Sequence, residues 1–477
     1  MNTVTAPETV KPTIDAAGTL DRLKTASRKQ PYISYETRKQ ILYQIEEILL
    51  ENDREICEAV SHDFGHRSTH ETKFLEISSI ILSLRYTRKK LKKWMKPKKR
   101  HVSILFAGGK NIVIPQAKGV VGIISPWNYP LFLTLSPLTS VIAAGNRVMI
   151  KMASNSQHLC RLLKKRFAEK ISEEMITFLP GINASEFSSL PFDHLVFTGS
   201  PGAGRTVMNA ASRHLTPVTL ELGGKSPAIL TDDFDLKTAV ERTMYAKLIN
   251  CGQMCVAPDY IFVPESSVDE FIEISKAIVS KRYPEIETRD YTSIIDQKAF
   301  QRIIDTLEDA RQKNAEIIHL IPSVETRKDL RKISPMIVKN VTKDMRLMQE
   351  EIFGPILPLL TYKNLDEVID YINERERPLA LYVFSNNMHV QDKILQNTMS
   401  GGVTMNDCAM HVAQHDLPFG GIGNSGMGQY HGYEGFSEFS KMRPVFKQAR
   451  IAIPLAPPYG KTMDIIYKFI TKLKWIK

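Results

Sequence analysis

Short apolar runs separated by longer amphipathic segments fill the chain from residue 120 to residue 221. The runs at 120–124, 148–150 and 195–197 are continuous and rich in Val, Ile and Leu, which is typical of short strands buried on both faces. A stretch with helical spacing follows the second and third runs. This alternation predicts a parallel α/β sheet. Residues 20–94 instead carry apolar positions at helical spacing, and we expect helices there.

Residues 101–116 show a different pattern. Apolar and polar positions alternate on both sides of a glycine pair, with apolar side chains at Val102, Ile104, Phe106, Ile112 and Ile114 around Gly108 and Gly109. A two-residue period interrupted by glycines predicts two strands joined by a turn. We therefore expect a β-hairpin that lies outside the main sheet.

The positive charge of the chain is concentrated in two segments. The 477 residues have a formal net charge of +11. Residues 85–101 hold ten Lys or Arg and no acid, and residues 461–477 hold five Lys against one Asp, so the rest is close to neutral. A nucleic-acid groove interleaves such charge with stacking aromatic side chains, and only Trp94 lies among the first cluster. The pattern favours a solvated basic helix face and gives no indication of a nucleic-acid partner.

The C-terminal segment 461–477 predicts a short basic amphipathic helix. Apolar side chains recur between its lysines at helical spacing: Met463, Ile466, Phe469, Ile470 and Leu473. A membrane-spanning helix needs about 18 to 20 continuous apolar residues, so this segment cannot cross a bilayer. Two alternatives stay open: the helix lies on the anionic inner face of a membrane, or it packs on its own subunit.

Cysteine usage and the N-terminus indicate a cytoplasmic setting. The first twenty residues contain no basic region followed by an apolar run, so we expect no secretory signal. Five irregularly spaced cysteines do not form a disulfide framework. His62, His66 and His70 have the spacing of one helical face, but Gly65 interrupts the helix, and we expect no metal site.

The segment Asn250-Cys251-Gly252-Gln253-Met254-Cys255 is typical of a reactive thiol on a glycine-bearing turn. The thiolate is the nucleophilic form of cysteine, and we expect nearby backbone N–H groups to lower the pKa of Cys255 modestly. A carboxylate lies upstream in Glu221-Leu222-Gly223-Gly224-Lys225. A thiol and a potential general base together indicate covalent chemistry on a carbonyl carbon.

A glycine-rich loop, Phe197-Thr198-Gly199-Ser200-Pro201-Gly202-Ala203-Gly204, follows the third apolar run and precedes a helix. Glycines at that place let a diphosphate approach the backbone and the helix N-terminus. The spacing differs from the common G-x-G-x-x-G fingerprint, so the loop by itself is weak evidence of a dinucleotide site.

These segments resemble, in sequence order, motifs of the NAD(P)-dependent aldehyde dehydrogenase superfamily. Besides the glutamate and cysteine segments, three blocks carry the resemblance: Pro126-Trp127-Asn128-Tyr129-Pro130, Phe197-Thr198-Gly199-Ser200 and Glu350-Glu351-Ile352-Phe353-Gly354-Pro355. Segments 255–260 and 418–432 resemble the class 3 branch, which handles fatty and aromatic aldehydes. Residues 457–461 are similar to the ending of bacterial coniferyl aldehyde dehydrogenases.

The resemblance implies an α/β fold with a Rossmann-type cofactor domain, an α/β catalytic domain and a small β-hairpin for oligomerisation. We expect the NAD(P)-binding domain at 20–221, with the hairpin at about 101–116. The catalytic thiol domain follows at 222–425, a C-terminal return at 426–452 and the basic tail at 453–477. A homodimer is the class 3 expectation.

The resemblance also implies the roles of individual residues. Cys255 is the nucleophile, Glu221 the general base, and Asn128, with the backbone N–H of Cys255, stabilises the oxyanion. NAD or NADP is expected to contact Trp127, Lys151, Ser154, Gly199, Ser200, Gly204, Leu222, Glu351 and Phe353. Tyr129 and Asn406 are weaker candidates near the substrate.

Position 154 departs from the family pattern and affects cofactor choice. The family commonly has Lys-Pro-Ser-Glu where this chain has Lys151-Met152-Ala153-Ser154. A glutamate there would bind the ribose 2′-hydroxyl of NAD and repel the 2′-phosphate of NADP. With Ser154 we expect NADP to be tolerated, alone or beside NAD.

The expected reaction is oxidation of an aromatic aldehyde such as coniferaldehyde, or of a medium- or long-chain aliphatic aldehyde, to the carboxylic acid. Two alternatives are an enzyme that passes the acyl group to coenzyme A and a catalytically silent structural or membrane-surface protein. Glu221 argues against the first, because acylating relatives generally lack this base. The complete residue set argues against the second.

Overall fold

The computed structural model describes residues 15–321, 326–450, 457 and 459–472. The helices are α1 (Ala16–Lys29), α2 (Tyr35–Glu51), α3 (Asp53–Phe64), α4 (Thr69–Glu71), α5 (Ser79–Trp94), α6 (Phe132–Ala144), α7 (Gln157–Lys170), α8 (Ala184–Ser188), α9 (Pro201–Ser212), α10 (Leu236–Leu248), α11 (Val268–Arg282), α12 (Gln297–Gln312), α13 (Arg346–Gln349), α14 (Leu365–Asn373), α15 (Met388–Asn397), α16 (Gly432–Glu438) and α17 (Lys461–Lys472). The strands are β1 (Lys98–Arg100), β2 (Lys110–Ala117), β3 (Val120–Ile124), β4 (Arg147–Lys151), β5 (Ile176–Phe178), β6 (His194–Thr198), β7 (Val218–Glu221), β8 (Pro227–Leu230), β9 (Tyr260–Pro264), β10 (Glu316–His319), β11 (Thr326–Arg327), β12 (Lys332–Ile333), β13 (Met336–Lys339), β14 (Ile356–Tyr362), β15 (Ala380–Phe384), β16 (Gly402–Met405), β17 (Gly426–Met427) and β18 (Ser440–Lys447).

The predicted parallel α/β sheet is confirmed. Its order is β17-β7-β6-β3-β4-β5, in which β3 to β7 run parallel and β17 antiparallel. Alternate residues of each strand face opposite layers: Val120 and Leu195 pack with α1, whereas Val121 and Val196 join the main core. Because β3 lies between β4 and β6, the chain changes direction beside it, and a crevice opens at the carboxyl ends of these strands.

A second sheet has the order β10-β13-β14-β9-β8-β15-β16, with β10 as its antiparallel member. Its central strands β8 and β9 flank the segment that carries the candidate nucleophile, because α10 and a short 3₁₀ turn at Ile249–Gly252 connect them. Apart from β17, the strands of the first sheet precede residue 222 and those of the second sheet follow it. The expected domain bounds stay a prediction.

The expected hairpin exists, but its first strand was placed wrongly. Residues 98–100 pair antiparallel with β2, whereas Ile104–Phe106 form a 3₁₀ turn. The apolar side chains at 102–106 alternate in the sequence, but these residues belong to the connection between β1 and β2, which is longer than a tight turn. Strand β18 pairs along the whole of β2 and completes a three-stranded antiparallel sheet. A contact between residues 440–447 and 110–117 could not be read from local periodicity.

The predicted N-terminal helices are confirmed as α1, α2, α3 and α5. Helix α2 begins at Ser34, whose Oγ accepts the N–H of Thr37 at 3.1 Å, and one face of the helix is buried. Between α4 and α5 the helix widens into a π-helical turn at Thr72–Ser78. Such turns are frequent at functional sites, and this one carries Glu76, which is buried.

The predicted helix of the basic tail is present as α17, whereas residues 473–477 lie outside the described residues. No residue of α17 is buried. Ile465 and Phe469 are 66% and 60% exposed, whereas Met463, Ile466 and Ile470 are partly buried. No helix in the described ranges is long and apolar enough to cross a membrane.

Candidate active site

A cavity of about 1000 Å³ lies at the carboxyl ends of β3, β6 and β7. The register of the sheet brings Ile124 beside Lys151 and Thr198 beside Glu221, so these strands end at one edge. Many of the predicted site residues line this cavity: Trp127, Asn128, Gly199, Ser200, Glu221, Leu222, Cys255, Glu351 and Phe353. The structure therefore brings segments far apart in the chain to one place.

Glu221 is the last residue of β7, and its side chain is buried at the cavity. Neither carboxylate oxygen makes a hydrogen bond of good geometry to a described residue. Burial raises the pKa of Glu221 well above 4.5, whereas the nearby Gly421 backbone N–H lowers it and the charge of Glu438 raises it. A buried carboxylate with a raised pKa is a stronger base than an exposed one.

Cys255 follows a left-handed turn. Asn250, Cys251 and Gly252 all have positive φ angles, of 51°, 54° and 74°. Two non-glycine residues in this region are a strained arrangement of the kind found at active sites. The turn leaves the thiol of Cys255 partly exposed at the cavity, while Cys251 is fully buried.

The expected lowering of the Cys255 pKa is wrong in this structure. Burial raises the pKa of the thiol to about 12, and the charges of Glu351 and Glu221 contribute to the increase. The backbone N–H groups of Cys255 and Val256 act in the predicted direction, but their effect is smaller. Sequence spacing could not show that two carboxylates face the thiol.

Asn128 lies beside the cysteine turn. Its Nδ2 donates to the carbonyl of Gln253 at 3.2 Å, and its own carbonyl accepts from Asn250 Nδ2 at 2.8 Å. Because a side-chain amide has two N–H donors, one remains for a substrate oxygen. The turn is further held by Gln253 Nε2, which donates to the carbonyls of Asn250 and Ser293 at 2.9 and 3.1 Å.

Three charged residues that the sequence did not indicate support this arrangement, and two of them, Arg67 and Glu76, are buried. Arg67 Nη1 donates to the Asn128 carbonyl at 2.8 Å and approaches Glu76 Oε1 to 3.1 Å, with both side chains inaccessible to solvent. Glu76 Oε2 accepts the backbone N–H groups of residues 131 and 132 at 2.8 and 3.0 Å. Glu71 accepts the N–H of Asn250 at 2.8 Å. The sequence pattern that could have identified Glu71 and Glu76 is the presence of acidic residues on the apolar face of the predicted helix.

A second set of charged side chains contacts the segment that contains Glu351. Lys225 donates to Asp259 and to the carbonyl of Glu350, at 2.9 Å for the latter. Arg302 donates to the carbonyls of Glu351 and Ile352 at 3.2 and 2.6 Å. Burial raises the pKa of Glu351 to about 8, and the charge of Asp259 adds to the effect. The hydrogen bonds of Lys225 and Arg302 hold the backbone of residues 350–352 at the cavity.

The residues at the start of α9 fit a dinucleotide. Ser200 caps the helix by accepting the N–H of Ala203 at 3.4 Å, and Gly199 lies at the cavity wall. Free N–H groups and the helix dipole favour a phosphate there. An added Cβ on Gly204 would come within 2.7 Å of Leu222, so this glycine allows the helix to pack closely on the segment after β7. Trp127 and Phe353 meet edge to face at 5.5 Å across the cavity.

Five predicted site residues do not line this cavity: Lys151, Ser154, Gly204, Tyr129 and Asn406. Lys151 ends β4 and is buried, and Ser154 is exposed in the following turn. Tyr129 is buried, with its hydroxyl 3.7 Å from the sulfur of Met254. Asn406 Oδ1 accepts the N–H of Ser385 at 2.9 Å, so its side chain holds the ends of β15 and β16 together.

The three spaced histidines are not on one helical face, because α3 ends at Phe64 and Gly65 has a φ of 78°. Among the described residues His62 instead groups with Asp63 and His158, with ligand atoms within 4.8 Å of one another. Asp63 already accepts the N–H groups of residues 158 and 159 at 3.0 and 3.1 Å and contacts His158 Nδ1 at 2.7 Å. Its oxygens therefore serve mainly to cap α7.

Comparison with known proteins shows extensive similarity. The sequence model of the aldehyde dehydrogenase family matches residues 6–445. A probable coniferyl aldehyde dehydrogenase of Pseudomonas aeruginosa is 44% identical over 457 residues, which are 94% of this chain and 95% of that protein. Aldehyde dehydrogenase family 3 member A2 of Pongo abelii is 38% identical over 85% of this chain and 83% of its own length. A substrate-bound structure of Staphylococcus aureus AldH has a TM-score of 0.89 at 35% identity, covering 95% of this chain and 99% of that one.

Proposed function

Because the chain belongs to the aldehyde dehydrogenase family and is an NAD(P)-dependent enzyme that oxidises aldehydes to acids, we propose that its substrates are aromatic aldehydes of the coniferaldehyde type. The similarity to a probable coniferyl aldehyde dehydrogenase over almost the full length of both proteins supports this class. Medium- and long-chain aliphatic aldehydes are the second class, which the class 3 similarity also supports. The observation that carries the mechanism is that Cys255, Glu221 and Asn128 surround one cavity.

Attack begins at the sulfur of Cys255. With a pKa near 12 the thiol is mostly protonated at neutral pH, so its proton must move to a base as the C–S bond forms. Glu221 is a buried carboxylate in the same cavity, and its raised pKa suits it to accept this proton. The product of the attack is a thiohemiacetal.

The oxygen of the former carbonyl becomes negative during the attack. The free N–H of the Asn128 amide and the backbone N–H of Cys255 are the donors we assign to it. Asn128 is held at both ends, by Gln253 on its side chain and by Arg67 on its carbonyl, so its orientation is set before the reaction. Loss of one such donor typically costs about 10²- to 10³-fold in rate.

When bound, NAD(P)⁺ supplies the hydride acceptor that converts the thiohemiacetal into a thioester. The cavity wall at Gly199 and Ser200 would hold its phosphates, and Glu351 and Phe353 its nicotinamide ribose. Glu221 releases the first proton to solvent and then takes a proton from water, and the resulting hydroxide attacks the thioester carbonyl. The carboxylic acid leaves, and the Cys255 thiol is restored.

The assay that tests this proposal measures acid formation from coniferaldehyde, benzaldehyde, decanal and hexadecanal, with NAD or NADP. Product acids are separated by chromatography, because cinnamaldehydes absorb near the wavelength of NADH. A Cys255→Ala variant serves as the control. The highest kcat/KM is expected for coniferaldehyde. A higher value for the aliphatic aldehydes would replace the aromatic class, and an absolute need for coenzyme A would replace hydrolysis with acyl transfer.

Position 154 leads us to propose that NADP is accepted. Ser154 is exposed in the turn after β4 and carries no charge that would repel a 2′-phosphate. The ratio of kcat/KM for NAD over NADP tests this directly. A ratio above about a thousand, equivalent to about 4 kcal/mol, would contradict the proposal.

The three-stranded antiparallel sheet offers a surface for the expected dimer. We propose a cytoplasmic homodimer that uses the sheet β1-β2-β18, where Ile104, Phe106 and Phe446 are 59%, 40% and 46% exposed. Molar mass from light scattering tests the dimer, and a monomer at micromolar concentration would contradict it.

We propose in addition that α17 touches an anionic membrane surface. Its exposed apolar side chains lie between Lys461, Lys468 and Lys472, the combination that favours the boundary between headgroups and acyl chains. Sedimentation with phosphatidylglycerol vesicles, compared with neutral vesicles and with a chain truncated after residue 450, measures this contact. Equal sedimentation of the two chains would contradict it.

A further inference from the structure

A group of buried polar atoms on residues 411–431 has no hydrogen-bond partner among the described residues. We propose that His411, Tyr430 and His431 form a polar subsite that binds a hydroxyl group on the ring of an aromatic aldehyde. This inference rests on the proposed function, because it names the feature of the substrate that the enzyme selects. None of the three residues serves the chemistry described above.

All three side chains are more than nine-tenths buried: Tyr430 is 0%, His431 6% and His411 8% exposed. The Tyr430 hydroxyl and both ring nitrogens of His431 have no hydrogen-bond partner among the described residues. His411 Nδ1 pairs with Thr404 Oγ1 at 2.8 Å, whereas its Nε2 has no partner. Buried polar atoms in folded proteins are nearly always paired, so four such atoms in one region indicate that a ligand supplies the partners.

Aromatic rings connect these residues into one wall. The Phe419 ring lies 5.5 Å from His431 and 6.5 Å from His411, at interplanar angles of 26° and 31°. Tyr430 lies 4.9 Å from His431 and 5.7 Å from Phe419. Phe132 meets His431 at 6.0 Å, edge to face. A planar aromatic substrate packs on such a wall better than a flexible chain does.

Two contacts place this wall beside the reaction centre. The His411 ring lies 6.3 Å from Tyr382, whose hydroxyl donates to the carbonyl of Val256, the residue after the nucleophile. On the other side, Phe132 begins α6 four residues after Asn128, the oxyanion donor. In agreement, burial raises the pKa of Tyr430, and the charges of Glu221 and Cys255 add to this effect.

The backbone holds the two central residues in place. Tyr430 and Phe419 exchange two backbone hydrogen bonds of 2.9 Å. His431 has a φ of 86°, which is a strained value for a residue with a Cβ, and Gly432 follows with a φ of 56°. Strain of this kind is kept where the position of a side chain matters for function.

The protonation state of the histidines indicates the chemical class of the ligand group. Burial lowers the pKa of His411 to about 4 and that of His431 to about 3, and neighbouring histidines contribute to the latter. Both rings are therefore neutral at physiological pH. A neutral imidazole offers one donor and one acceptor, which matches a hydroxyl group rather than a carboxylate or an ammonium.

The test compares 4-hydroxycinnamaldehyde with cinnamaldehyde, which differ only in the ring hydroxyl, in His431→Phe, His411→Phe and Tyr430→Phe variants. The ratio of kcat/KM for the two aldehydes is the readout. We expect this ratio to fall about tenfold for each hydrogen bond lost, through the hydroxylated substrate alone. His415→Phe is the matched control, because this neighbouring histidine is only half-buried.

A ratio near one in the wild-type enzyme, or an equal loss for both aldehydes in the variants, would overturn the proposal. His431→Gln keeps a donor and an acceptor and should retain most of the ratio if His431→Phe does not fold. Decanal measured in parallel separates the two proposals. A preference for decanal over both cinnamaldehydes contradicts the proposed substrate class, while the ratio still reports on the subsite.

Discussion

Replacement of Gly252 by alanine tests how closely the cysteine turn and the Glu351 segment depend on each other. Gly252 lies three residues before Cys255 and has a φ of 74°. A Cβ at this position would come within 2.3 Å of the carbonyl oxygen of Gly354 and 2.6 Å of its carbon. Both neighbours are backbone atoms, so no flexible side chain can move away.

The size of the effect follows from these distances. Ordinary van der Waals contact begins at 3.4 Å, so the two segments must separate by about 1 Å. Gly354 directly follows Phe353, and the displacement therefore reaches the residues proposed to hold the nicotinamide ribose. A misplacement of about 1 Å at a reacting centre costs about 10²-fold in rate. The left-handed backbone adds about 1 kcal/mol of strain for alanine.

Steady-state kinetics with a preferred aldehyde measures this effect. We expect kcat/KM of Gly252→Ala to fall about 100-fold while the circular dichroism spectrum is retained. Gly460→Ala is the control, because a Cβ there has no neighbour within 4 Å. A folded Gly252→Ala enzyme with kcat/KM within threefold of wild type would refute the reasoning that these two segments are rigidly coupled.

Three further predictions concern the charged and nucleophilic groups. Glu221→Gln should slow both single-turnover NAD(P)H formation and steady-state turnover by about 10²- to 10⁴-fold, because thiol attack and deacylation both lack their base, and in wild type kcat should fall as the pH drops through the raised pKa of Glu221; a stopped-flow burst of NAD(P)H at the wild-type rate would contradict this. The rate of Cys255 alkylation by iodoacetamide, after subtraction of the rate in Cys255→Ala, should rise about tenfold per pH unit from pH 7 to 10, because the pKa of the thiol lies near 12. A plateau of this rate below pH 9 would contradict the prediction. Arg67→Met leaves Glu76 as an unpaired buried charge and should lower the free energy of unfolding by about 3 to 5 kcal/mol. The double variant Arg67→Met/Glu76→Gln should regain part of this stability. Equal thermal midpoints for Arg67→Met and wild type would contradict the prediction.

Much of the fold and the chemical centre could be predicted from the sequence alone. Buried strands of a parallel sheet are continuous apolar runs, so β3, β4 and β6 are visible without any knowledge of their neighbours. Cys255 and Glu221 were recognised because their segments, in a fixed order with three other motifs, resemble those of the aldehyde dehydrogenase superfamily. The family comparisons agree with this interpretation.

The tertiary structure alone decided the environment of these residues. Burial raises the pKa of Cys255, and the carboxylates of Glu351 and Glu221, which other segments bring to the cavity, add to this effect, so the local N–H groups could not determine its direction. Arg67 and Glu76 gained their roles because a π-helical turn points Glu76 toward the loop of Asn128. The pairing of β2 with β18 joins residues more than 300 positions apart. Periodicity reports which face of a segment is buried, but only the folded chain determines which charges and strands it meets there.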